Sequence, residues 1–259
     1  MRLLKKLSFA LFAICLMMSS SVMAQKRDFY ELRTYHIENA EQEAMLDDYL
    51  AKAFIPAAHK HGIAKVGVFK PIDSQPDAGK AVYLFVPFKS MDEYLALEGK
   101  LSKDQAYQTA GSAYINAAYD NPPYKRIETS ILKGMAEHPK YAESALTNPK
   151  KDRIYELRSY EGPTERLYKQ KVKMFNSGEM DIFSRINCSP IFYGETIAGA
   201  NMPNLMYMTT HENMEVRNEH WKVFSADPAW AGMKDLPEYQ NTVSRNDTRL
   251  LYPAEYSDL

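Results

Sequence analysis

Apolar and polar positions change period in a fixed order along the first half of the chain. FYELRTY (residues 29–35) alternates as a half-buried strand does. NAEQEAMLDDYLAKAFIPAAHKHG (39–62) then carries Tyr49, Leu50, Ala53, Phe54 and Ala57 at helical spacing. Asn39 and Gln42 stand in capping-box positions, Gly62 is a stop, and Pro56 predicts a kink. AKVGVFKPI (64–72) and KAVYLFVPF (80–88) read as strands joined by the Gly- and Pro-bearing SQPDAGK, and IETSILK (127–133) as a last strand after a second helical stretch.

The second half repeats this order. FYELRTY returns as IYELRSY (154–160), TERLYKQKVKMFNSGEMDIFSRIN is the helical region, and SPIFYGETI, LMYMTT and NDTRLLY are the strands. Shared landmarks in one order indicate an internal duplication. The order βαββαβ is that of a ferredoxin-like unit, an antiparallel sheet with both helices on one face. Its bare second face needs a cover, and a second unit can supply one. The expected fold is therefore α+β: two tandem ferredoxin-like units packed sheet to sheet as a pseudo-dimeric α+β barrel. Residues 28–133 form the first domain, 134–151 a linker and 152–259 the second domain.

The duplicated strand contains a glutamate and an arginine two residues apart. Side chains alternate, so Tyr30, Leu32 and Thr34 share one face and Glu31, Arg33 and Tyr35 the other. The first set suits the helices. The second is then expected between the sheets, where Glu156, Arg158 and Tyr160 answer from the other half and the charges neutralise one another.

Residues 1–24 combine a basic start (Arg2, Lys5, Lys6), the apolar run LSFALFAICLMM and the small-residue ending SSSVMA, the order of a cleaved targeting segment. Cleavage after Ala24 would leave a secreted or periplasmic protein beginning at Gln25. Ile14 is too large for a lipoprotein cleavage box at Cys15. Without Arg2, Lys5 and Lys6 the 32 basic residues fall to 29 against 33 acidic ones, a net charge near −4, which argues against nucleic acid as a partner. Cys188 is then the one remaining cysteine, so no internal disulfide can form. No second long apolar run predicts a membrane span. A homo-oligomer is compatible with this composition.

MPNLMYM (202–208), RNEHWKVFSADPAW (217–230) and the terminal SRNDTRLL (244–251), together with the duplicated YELR strand, closely resemble the NIPSNAP domain of the dimeric α+β barrel superfamily. The likeness covers nearly all of the chain after residue 24 and is closer in the second half. In the first half VYLFVPF replaces the MPNL context and Tyr107 stands where the second half has Trp230. The resemblance implies the fold and leaves the activity open.

Two readings of Glu31, Arg33, Tyr35, Glu156, Arg158 and Tyr160 are compatible with the pattern: a structural ion-pair cluster, or a polar pocket for a small organic molecule. His59, Trp221 and Trp230 are further candidates for facing a ligand, His59 because lone histidines ligate haem elsewhere in the superfamily, and the tryptophans because they could form a stacking wall. The plain alternatives are a helix-end histidine and an aromatic core. His59 and His61 lie on different sides of a helix and H-E-x-x-H is missing, so neither a metal nor another cofactor is expected. Cys188 has no partner histidine at a recognisable spacing and reads as an inert thiol. Two functions follow: a non-catalytic or accessory small-molecule-binding protein, or, by resemblance to related barrels, a cofactor-independent monooxygenase- or isomerase-like enzyme.

Overall fold

The computed structural model describes residues 25–259, and the expected targeting segment lies outside them. Eight strands carry the architecture: β1 (Phe29–His36), β2 (Gly67–Pro71), β3 (Ala81–Phe88), β4 (Arg126–Gly134), β5 (Ile154–Glu161), β6 (Ser189–Ala198), β7 (Asn204–His211) and β8 (Arg245–Pro253). Within each half the duplicated strand is central. β1 pairs antiparallel with β3 and β4, and β5 pairs antiparallel with β7 and β8. The halves meet at their edges, where β2 pairs with β8 and β4 with β6, so the two sheets close one barrel in the order β1-β3-β2-β8-β5-β7-β6-β4. Closure removes all four exposed edges. At the β4–β6 seam a Cβ on Gly194 would lie 2.9 Å from the Leu132 Cβ, so glycine permits that approach.

Local signals account for the helices. Asn39 accepts from the Gln42 amide at 2.9 Å, and the Gln42 side chain reaches back to the Glu38 amide at 2.8 Å, one residue earlier than in a standard capping box. The first helix, α1 (Ala40–Tyr49), runs through a π-helical turn at Leu50–Phe54 into α2 (Ile55–Lys60), with Pro56 just past the turn. The ring of Pro56 denies the carbonyl four residues back its partner, and the wide turn absorbs the mismatch. The second half makes the same turn at Phe175–Glu179 without proline, using Gly178 at φ 125°. Gly62 and Asn187 then end the two helical regions with positive φ, as a left-handed cap requires.

The strand faces are the reverse of the expected ones. Tyr30 and Leu32 point into the barrel with Phe69, Phe85, Tyr155, Leu157 and Phe192, and Thr34 lies at its mouth. Glu31, Arg33, Tyr35, Glu156, Arg158 and Tyr160 point outward under the helices, so the two charged sets never meet. The cause is that both faces of the sheet are covered. The closed interior is lined by apolar side chains and offers few donors, so bulky rings fill it: Phe85 stacks on Phe192 at 4.8 Å and Phe69 lies 4.7 Å from Tyr155. Each such ring, fully buried, contributes about 1.5–3 kcal/mol. The helix side supplies hydrogen-bond donors and, in the first half, an opening.

Candidate functional site

In the second half a helix, Met214–Ala226, lies over β5 and completes the charged strand. Asn213 caps it by accepting from the Val216 amide at 3.0 Å. From its first two turns Arg217 donates to both oxygens of Glu156 (2.7 and 2.9 Å), and the Trp221 indole N–H donates to Oε2 at 2.8 Å. Arg158 donates to Oε1 at 2.6 Å, and its guanidinium sits 3.8 Å from the Trp221 ring. Glu156 is fully buried. Burial pushes its pKa up, but the hydrogen bonds from Arg217 and the charges of Arg158 and Arg217 win and hold it below the ordinary value. Arg158 also donates to Tyr160, whose hydroxyl meets that of Tyr207 at 2.9 Å. Around this network Lys171 and Glu179 form a buried ion pair at 2.8 Å, and Phe224 packs against Trp221 and Trp230. Arg217, Trp221, Phe224 and the Lys171–Glu179 pair occupy the space over Glu156 and Arg158.

The first half keeps the strand and changes the helix. Ser90 caps a helix at Met91–Leu101 as Asn213 does its counterpart, so Tyr94 stands at the place of Arg217 and Glu98 at that of Trp221. Leu46 and Phe54 replace the Lys171–Glu179 pair. Glu31 still receives Arg33, at 2.8 and 2.6 Å to Oε1, and Arg33 still donates to Tyr35 at 3.1 Å. Among the described residues Glu31 Oε2 accepts no hydrogen bond. In place of the missing arginine and indole there is a cavity of about 600 Å³ with Glu31 and Arg33 on its floor. Five aromatic side chains, Tyr49, Phe54, Tyr94, Tyr107 and Tyr114, line it together with aliphatic ones such as Leu97 and Leu101, and Glu98 also lines the cavity. Tyr49 and Tyr114 stack at 3.7 Å, and the hydroxyls of Tyr49 and Tyr107 meet at 2.8 Å. Burial, then neighbouring phenols, raise both Tyr49 and Tyr114, which stay neutral hydroxyls. Burial alone would lower the Arg33 pKa, but Tyr35 and Glu31 raise it, so the guanidinium stays charged. The cavity therefore offers one free carboxylate edge, a fixed cation and ring faces.

The remaining candidates separate. His59 is half-exposed and bonds to Asp258 at 2.7 Å, far from the cavity lining, because it projects from the outer end of its helix toward the C-terminal tail. Trp221 and Trp230 do not form a ligand wall: the first is spent on Glu156 and Arg158, and the second packs on Phe224. Cys188 does have histidine neighbours. One ligand atom each from Cys188, His211 and His220 lies within 4.8 Å of the others. The spacing hides this grouping, but the β6–β7 register shows it, since Ser189 faces Thr210 and thereby places Cys188 beside His211.

The fold and this sheet-to-helix site define a tandem ferredoxin-like barrel of the dimeric α+β type. The chain belongs to the NIPSNAP family, whose model matches twice, at residues 30–133 and 155–258. No curated protein matches the chain. Among solved structures it is similar to a candidate monooxygenase from Lactobacillus acidophilus at 11% identity over 88% of this chain and 94% of that one, with a TM-score of 0.57. An anthrone oxidase-like protein aligns at 10% identity over 89% and 93%, with a TM-score of 0.56. At these identities the likeness is one of fold. A NIPSNAP family protein of unknown function from Agrobacterium tumefaciens matches over 44% of this chain and 99% of its own at 17% identity, with a TM-score of 0.38.

Proposed function

We propose that this chain is an exported small-molecule-binding protein whose site is the cavity over β1, and that the ligand is an aromatic organic cation. The observation that supports the reading most is the divergence of the two halves. A carboxylate that Arg217 and Trp221 saturate in the second half is left with one free oxygen in the first, at the floor of an aromatic cavity. What the second half places there, a guanidinium and a planar N–H, indicates what the first half takes from outside. Two carboxylates, Glu31 and Glu98, against one guanidinium, Arg33, give the cavity an excess negative charge, and tyrosine faces attract cations. The basic, apolar and small-residue order of residues 1–24 supports export.

The enzymatic reading draws on structural neighbours whose names mention oxidation, and it has less support from the cavity. The lining residues include no histidine or cysteine, and burial raises the pKa of Tyr49 and Tyr114 further above pH 7, so neither phenol is a proton acceptor poised there. The test is calorimetric titration of the chain beginning at Gln25 with benzamidine, benzylamine and benzoate. Saturable binding of the two cations, lost in Glu31→Gln and not shared by benzoate, is the expected result. Preference for benzoate, or binding indifferent to Glu31, would overturn the reading. Native mass spectrometry of protein taken from its own host would then identify the ligand that accompanies it.

A further inference from the structure

A second site lies on the other half of the molecule and is independent of the cavity. Cys188 precedes β6, His211 ends β7, and His220 sits two turns into the helix that follows, so three short elements converge on one point. The Nδ1 atoms of His211 and His220 face each other at 2.9 Å, and one donor atom from each of the three residues lies within 4.8 Å of the others. A tetrahedral zinc with its usual bond lengths separates its sulfur and nitrogen ligands by roughly 3.3–3.6 Å, so the cluster needs only small side-chain rotations to take one. The distal nitrogen of His211 is already held: Nε2 lies 3.2 Å from Thr209 Oγ1, the kind of outer contact that fixes a metal-binding imidazole.

A separate observation also points to a cation. Glu212, next in sequence to His211, has its Oε2 atom buried with no hydrogen-bond partner among the described residues. A buried carboxylate oxygen left without a donor is costly unless a positive group meets it. Cys188 and His211 are buried and His220 is half-exposed, which leaves an entry path on the His220 side. The donor set excludes the hard ions. Calcium and magnesium take oxygen ligands, whereas one thiolate and two imidazoles select a borderline transition metal.

We propose that Cys188, His211 and His220 form a mononuclear zinc-class metal site, with a water in the fourth position and Glu212 as an outer carboxylate beside it. The ion ties the β6–β7 hairpin to the helix that carries Arg217 and Trp221, so it would lock the filled half in place.

The test uses the full chain from Gln25, free of any affinity tag and stripped with a chelator. Zinc titration against a chromophoric competitor is expected to give one tight equivalent per chain. Cobalt substitution is expected to give the intense visible bands of a tetrahedral site and a near-ultraviolet thiolate-to-metal charge-transfer band. Cys188→Ser should remove that charge-transfer band and weaken zinc binding by about a hundredfold or more, beyond the range typical of outer supporting residues. His220→Gln, on a half-exposed helical position where folding is safe, should weaken zinc binding comparably with an unchanged far-ultraviolet spectrum. Glu212→Gln should cost about tenfold. Cobalt binding without the thiolate band, or the same zinc affinity in wild type and His220→Gln, would overturn the site.

Discussion

Replacing Arg217 with Met should destabilise this protein far more than replacing Arg33, although both arginines pair with the same duplicated glutamate. Arg217 gives Glu156 two charge-assisted hydrogen bonds, at 2.7 and 2.9 Å, and Glu156 is fully buried. Truncating one partner of a buried pair costs about 3–5 kcal/mol because a charge is left without compensation. Arg158 and Trp221 remain on the carboxylate, and Arg217 is itself partly open to water, so about 2–3 kcal/mol is expected. Arg33→Met removes the donor to Glu31, which is itself buried, but the cavity over it has room for water to replace that donor, so about 1 kcal/mol is expected there. The assay is urea unfolding of wild type, each single variant and each pair (Glu156→Gln with Arg217→Met, Glu31→Gln with Arg33→Met), in chelator so that metal plays no part. The slope against urea should stay constant, which confines the effect to stability. The cycle should give a coupling near 2 kcal/mol in the second half and below about 1 kcal/mol in the first. Equal couplings in the two halves, or a neutral Arg217→Met, would refute the claim that one half is filled and the other open.

Four further outcomes follow from the same geometry. Because Glu156 is held below the ordinary carboxylate pKa of 4.5, its contribution to stability is complete above that value and lost as pH falls through the lower folded one. Urea midpoints measured from pH 7 to pH 3 should therefore drop further in wild type than in Glu156→Gln, and parallel curves would contradict this. The double variant Tyr94→Arg, Glu98→Trp rebuilds the second half's arrangement over Glu31 and should abolish cation binding in calorimetry while leaving the fold intact; retained binding would move the ligand elsewhere. A fragment of residues 25–134 exposes the barrel face of Tyr30, Leu32 and Phe85 and two strand edges, so it should dimerise or stay unfolded in sedimentation, and a cooperative monomer would count against edge closure. N-terminal sequencing of the protein from its own host should begin at Gln25, and an intact Met1 would refute export.

The repeat made most of the fold legible. Period-2 runs marked the strands, the capping residues Asn39 and Gln42 marked the first helix, and the doubled YELR strand set the internal symmetry. The direction in which that strand faces was not legible. Alternation separates Tyr30 from Glu31, but when both sheet faces are buried it does not say which is the dry one; that depends on whether Arg217 and Trp221, some sixty residues away in sequence, reach Glu156 or open water does. The cavity was hidden for a similar reason. It exists because Tyr94 and Glu98 lack what their counterparts possess, and a deficit shows only when two helices are laid over the same strand. Cys188, His211 and His220 have no spacing signature because a hairpin register and a helix turn, not a contiguous segment, bring them together.

Duplication explains why one molecule can hold both a filled and an open version of the same space. Each half depends on the other to close the barrel, so the stability of the shared core is common property, drawn from rings such as Phe69, Phe85, Tyr155 and Phe192 that both sheets contribute. The sheet-to-helix layers are separate, with one aromatic cluster around Tyr35, Tyr49 and Phe54 and another around Phe175, Phe183 and Phe224. Opening one layer therefore does not loosen the other. The second half invests its helix in saturating Glu156, and its Cys188, His211 and His220 gather at the end of the same hairpin, where an ion would add rigidity. The first half gives up that saturation and exposes one carboxylate edge at the end of an aromatic cavity. Had both halves been open, each central strand would carry an incompletely partnered buried carboxylate, at a cost of about 1–3 kcal/mol apiece. Confining the deficit to one half halves that cost and leaves the open cavity on a barrel whose other side is fixed.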